Sequence, residues 1–153
     1  MAKLLMEAAK ESAPLYGKVA AIFTLKQLFG AAANGQLLEL VEDAEIREFV
    51  LRALADRKAE LAGVPGAVFQ RALADQNPRV RLQAVVGLRR LKAKSAALEL
   101  IKLAAADWAQ QKEVKEGEQL ILPHHAVRAL AAMGAWEACL VAVDDPQLRT
   151  PAL

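Results

Sequence analysis

Apolar residues recur along the chain at three- and four-residue spacing, and no useful length alternates with period two, so the pattern predicts helices and no sheet. The clearest segment is residues 77–91. It opens with Asn77, a good helix cap, and Pro78, whose missing N–H costs nothing in the first turn. Sliding this segment back 34 residues lands on 43–57, a further 29 on 14–28, and forward 42 on 119–133. The apolar columns survive every shift. One reads Ala21, Val50, Ala84, Ala126, its neighbour Ile22, Leu51, Val85, Val127, and a third Leu25, Leu54, Leu88, Leu130. A fourth, Thr24, Ala53, Gly87, Ala129, stays small, as a helix requires where another backbone packs closely.

Between these copies lie second helical patterns at residues 37–41, 68–73, 97–105 and 138–143, which give each template helix a partner. Gly30, Gly35, Gly63 with Pro65, and Gly134 punctuate the pattern near the expected helix ends. The predicted fold is all-α: a right-handed α-solenoid of stacked antiparallel helix pairs, about four pairs with a partial fifth opening at residues 144–149. The last interval is longer by about eight residues, and the surplus falls in a polar stretch, 107–120, expected to be an inserted loop. Trp108 is its one large apolar side chain, expected to cap the core, with contact to a ligand as the alternative. A final repeat left open at its end exposes apolar surface, which a neighbouring domain of a longer parent or a second copy of the chain would cover.

Composition narrows the class further. Ala and Leu supply 33 and 24 of the 153 residues, and 55% hydrophobic with 25% charged residues excludes intrinsic disorder. At this length one domain, residues 1–153, is the expectation. The mean hydropathy of +0.18 is high. Even so, the longest apolar stretch, 129–143, is broken by Glu137 and falls short of the roughly 20 residues that a membrane span needs. Lys3, Glu7, Lys10 and Glu11 interrupt any apolar leader core at the N-terminus. A stand-alone chain would be cytoplasmic, and one excised from a secreted multidomain parent extracytoplasmic. The single Cys139 lies in an apolar helical run and reads as a buried structural thiol. A net charge of +2 is too slight to imply a polyanionic partner by itself.

The opening Asn77-Pro78-Arg79-Val80-Arg81, followed by Ala84, Leu88 and Leu91, resembles the second helix of a HEAT repeat. It recurs as Asp43-Ala44-Glu45-Ile46-Arg47 and as Asp145-Pro146-Gln147-Leu148-Arg149. That resemblance, over nearly the whole chain, implies an α-solenoid that binds or scaffolds other proteins, with minorities of the family binding nucleic acid or assisting cofactor attachment. A narrower similarity attaches to residues 10–17 and 123–130, which look like HEAT segments inside large bacterial multidomain proteins. Those join a sugar-dehydrogenase-like propeller to a c-type haem domain. This chain has no C-x-x-C-H, so it would bring no haem and no redox chemistry, and the resemblance implies a linker domain.

Few residues suggest chemistry. The column Lys18, Arg47, Arg81 is basic and becomes Pro123 in the fourth copy. It reads as a ladder onto carboxylates or helix-end carbonyls of the adjoining repeat, with Asp43 and Asp75 as candidates, or else as a row of donors for an acidic partner. From Gln76 to Lys102 seven basic residues stand against Glu99 alone, and helical spacing puts Arg79, Gln83 and Arg90 on one stripe. With Arg128 and Trp108 these form the expected partner-binding set. A basic stripe can track phosphates, yet Glu39, Glu42, Asp43, Glu45 and Glu48 make the preceding repeat acidic and break a continuous groove. Adjacent His124 and His125 point about 100° apart on a helix, unsuited to chelating one metal. No G-x-S-x-G, phosphate-loop, dinucleotide or C-x-x-C pattern occurs. Asp107 beside Trp108 is a weak echo of a carboxylate near a base-stacking platform in a solenoid DNA glycosylase. The expectation is a non-catalytic protein-interaction scaffold or inter-domain spacer without cofactor or metal; the alternative is a nucleic-acid-binding solenoid.

Overall fold

The computed structural model describes residues 1–10, 14–110 and 121–152, the side chains of Trp108 and Gln110 excepted. All its regular structure is helical, and no strand occurs among the described residues. The chain divides into two compact units, Met1–Val68 and Phe69–Leu153.

In the first unit, α1 (Ala2–Lys10) packs on α2 (Leu15–Phe29), and α2 and the short α3 (Asn34–Leu38) both pack on α4 (Arg47–Ala55). The core is drawn from the predicted columns. Ile22 and Leu25 of α2 and Val50, Leu51 and Leu54 of α4 are buried, joined by Leu37 and Ile46. Each such side chain contributes roughly 1.5–3 kcal/mol of apolar burial. Helix α1 had no counterpart in the repeat pattern. It buries only Met6 and Ala9, too few positions to show a period. Gly35 is the second residue of α3.

Helix α5 (Gly66–Ala72) carries the boundary between the units. In the second unit α6 (Pro78–Leu91) and α7 (Ala97–Gln110) both pack on α8 (Ile121–Met133). Helix α9 (Trp136–Val143) lies on α7, and the single turn α10 (Arg149–Ala152) touches α7, α8 and α9. Helix α6 starts as its sequence dictates: the Asn77 side chain accepts from the Arg79 N–H at 2.9 Å, and Pro78 fills the first turn. Helices α6 and α8 end in the same motif, the N–H of Ala93 reaching Leu88 O and that of Ala135 reaching Leu130 O. The left-handed residue this motif requires is Gly134 after α8 but Lys92, at φ 53°, after α6.

Three expectations are revised. Helix α7 continues through Gln110, so residues 107–110 are helical; residues 111–120 lie outside the described residues. The small column does not mark backbone contact throughout: Thr24 is exposed, and what approaches Gly87 is the Phe69 ring. A Cβ at position 87 would lie 2.3 Å from two ring carbons, which leaves room for hydrogen only. Finally, Val127 stands apart from its column, exposed where Ile22, Leu51 and Val85 are buried.

Candidate interaction surface

The basic column is built into the fold. Arg47 folds back to donate from Nε to Val41 O at 2.7 Å and from Nη2 to Glu42 O at 2.9 Å. Arg81 Nη1 makes the corresponding bonds to Asp75 O at 2.9 Å and Gln76 O at 3.1 Å, and Arg149 Nε reaches Val143 O at 2.9 Å. In each case the guanidinium caps the carbonyl six residues back, where the preceding helical segment ends and its carbonyls lack partners. The carboxylates of Asp43, Asp75 and Asp145 each accept the N–H two residues on, at 2.8–3.0 Å, tightening the same turn. The ladder therefore runs to carbonyls within one connection. Lys18 differs, its ammonium meeting Glu45 Oε2 at 2.6 Å, a bond that raises its pKa. Pro123 is buried.

One polar cluster in the first unit was not anticipated. Lys26, 1% exposed, donates to Asn34 Oδ1 at 2.7 Å and Glu60 O at 3.3 Å, and lies 3.5 Å from Glu60 Oε2. Asn34 Nδ2 donates to Glu60 O and Ala62 O at 2.8 and 2.9 Å. Arg57 holds Glu60 Oε1 at 2.9 Å and also donates to Gln27. Burial pushes the Lys26 ammonium below its ordinary pKa, against the pull of Glu60, while the Arg57 hydrogen bond holds the Glu60 carboxyl below its own. Gly30, at φ 54°, lets the backbone turn against this carboxylate, which a Cβ there would meet at 3.3 Å. The cluster ties the end of α2 to residues 57–62. The only sequence signal was a lysine and an asparagine at otherwise apolar positions, which the column pattern does not read.

The second unit gathers the expected partner-binding residues only in part. On α6, Arg79 is exposed and Gln83 and Arg90 are half-buried; Arg128 is exposed on the neighbouring α8. The side chain of Trp108 lies outside the described residues. Arg89, absent from the expected set, acts with Arg128 and His124 on His125, whose pKa is lowered first by burial and then by these three groups. The His124 and His125 rings stand edge to face, 6.1 Å apart. Neither α6 nor α8 contains an Asp or Glu.

On its other side α8 forms, with α9 and α10, an apolar groove of about 610 Å³ lined by Val127, Leu130, Trp136, Cys139, Leu140 and Pro151, among others. Trp136 and Leu140 are each 62% exposed and Val141 74%. Cys139 is half-buried in this wall, and burial raises its thiol pKa. No group of three or more His, Cys, Asp or Glu suited to a metal occurs among the described residues, and no helix there is long and apolar enough to cross a membrane. No protein-family model and no curated protein sequence matches the chain.

Proposed function

We propose that the chain is a HEAT-like repeat domain whose task is to bind or space other proteins, without catalysis of its own. The carrying observation is the recurrence of one device, Asp or Asn capping the turn and Arg four residues later closing on the carbonyl six back, at Arg47, Arg81 and Arg149. The same turn opening α4, α6 and α10 supports reading the packed pairs as repeats, stacked as a right-handed α-solenoid of four pairs and a partial fifth. Exposed apolar side chains along α8 and α9 supply a surface of the kind protein partners cover. In a longer parent the same surface would seat the adjacent domain. The test is comparative capture: the intact chain and a Leu140→Glu variant are used as baits. Loss of a specific protein from the variant supports the reading, and identical retained sets overturn it.

A second reading, nucleic-acid binding through the second unit, is favoured by one observation: α6 and α8 lack carboxylates while Arg89, Arg128 and His124 act together around His125. Anisotropy titrations of labelled duplex and single-stranded DNA at about 50 and 200 mM salt separate the readings, because phosphate-driven affinity falls steeply over that range. Micromolar binding that weakens with salt and disappears in Arg79→Glu/Arg90→Glu supports the second. No binding at the lower salt removes it.

A further inference from the structure

We propose that the α8–α9 groove pairs with the same groove of a second copy of this chain about a two-fold axis. The inference rests on the protein-binding reading and names the partner. Its first ground is an uncovered position. Val127 belongs to a column whose other members, Ile22, Leu51 and Val85, are at most 1% exposed, yet it is 38% exposed at the groove wall. Its second ground is the pattern on the two helices that form the walls. On α8, His124, Val127, Arg128 and Ala131 fall at i, i+3, i+4 and i+7 and are all exposed. Glu137, Leu140 and Val141 of α9, with Asp144 at its C-terminal cap, repeat that spacing, again all exposed.

One wall is thus apolar with the Arg128 guanidinium beside it, and the other apolar with the carboxylates of Glu137 and Asp144 beside it. A purely acidic partner would meet Glu137 and Asp144, and a purely basic one Arg128. A two-fold axis running along the groove sets α8 of one copy against α9 of the other, so each copy's Arg128 faces the other's carboxylates. Two-fold interfaces are self-complementary by construction and are the commonest in soluble oligomers. Trp136 supplies the large, half-polar anchor that dominates such interfaces.

Sedimentation velocity on the intact chain, from about 1 to about 200 µM, tests the pairing over the range in which weak and moderate dimers dissociate. The expected result is a concentration-dependent passage from the 16.5 kDa species to one of twice that mass. Leu140→Glu, at an exposed position, weakens it by about a hundredfold or more, with the far-UV circular dichroism unchanged. Arg128→Glu weakens it about tenfold, and Arg128→Glu combined with Glu137→Arg restores it, which a folding fault would not do. A wild type that stays monomeric throughout overturns the pairing, as does a dimer indifferent to all these changes. A monomeric wild type leaves the broader protein-binding reading standing, since that falls only if the two baits retain the same proteins.

Discussion

The two units use one architectural device but spend their charges differently. In the first, most cations are tied to anions or carbonyls. Lys10 pairs with Glu39 at 3.0 Å, Lys18 with Glu45, Arg57 with Glu60, Arg47 with two carbonyls, and Lys26 is enclosed with Asn34 and Glu60. Even Arg52 lies over the Phe23 ring at 5.8 Å. In the second, Arg81 and Arg149 repeat the turn-closing role, but Arg89 and Arg128 have no ion pair among the described residues. Charge in the first unit holds loops to helices. On α6 and α8 the guanidinium of Arg81 also lies 4.0 Å from Asp107 Oδ1, while Arg89 and Arg128 stand beside His125.

That contrast predicts unequal costs for removing a cation. Lys26→Met should be the most damaging change, about 3 kcal/mol or more by urea unfolding, because it strands Glu60 and Asn34 in a buried site. A cost under about 1 kcal/mol would show that the cluster is solvated and would erase the difference between the units. Gly87→Ala tests packing in the second unit. The Phe69 ring must move, at about 2–3 kcal/mol, and Phe69→Leu in the same chain should recover part of that loss. Arg81→Ala removes two charge-assisted bonds to carbonyls and should cost about 1.5–2 kcal/mol, with Arg47→Ala close to it if the device is worth the same in both units.

Smaller effects should come from the exposed cations. Arg128→Gln changes stability by no more than about 0.5 kcal/mol at neutral pH. It should nonetheless alter the response to acid. The folded pKa of His125 lies below its unfolded value of 6.5, so the unfolded chain takes up its proton first as pH falls. Stability is then lost from pH 6.5 downward until the folded pKa is passed. Removing the Arg128 charge raises the folded pKa and shrinks that loss, which proton NMR of the His125 ring and melting temperatures between pH 7.5 and 5 would follow. Lys92→Gly, replacing the one non-glycine residue with positive φ among the described residues, should stabilise by about 0.5–1 kcal/mol.

Much of the helical order was legible because two signals agreed. Asn77-Pro78 marked the start of α6 to the residue, and the columns Ala21/Val50/Ala84/Ala126 and Leu25/Leu54/Leu88/Leu130 are buried in every copy. The column ending in Val127 departs from this, because Val127 is exposed. Periodicity identifies the apolar face but not whether a neighbour is present to cover it. Likewise Arg47, Arg81 and Arg149 stood out in sequence, while the acceptors were carbonyls, which every residue carries and which no side-chain pattern distinguishes. Lys26 was invisible for the opposite reason. A single polar residue among apolar ones departs from the period, and only its distance to Asn34 and Glu60 shows why it is there. On α6 the stripe ran through Arg79, Gln83 and Arg90 and passed beside Arg89, whose neighbour in space, His125, lies 36 positions away in the chain.

The turn device has a kinetic meaning as well. Each Arg reaches an acceptor only six residues back, so the loop it closes is among the shortest a chain can form, on the order of 10–100 ns. Such closures need no distant contact and little chain entropy. The start of α4, of α6 and of α10 can therefore be fixed independently, before the faces they present have found one another.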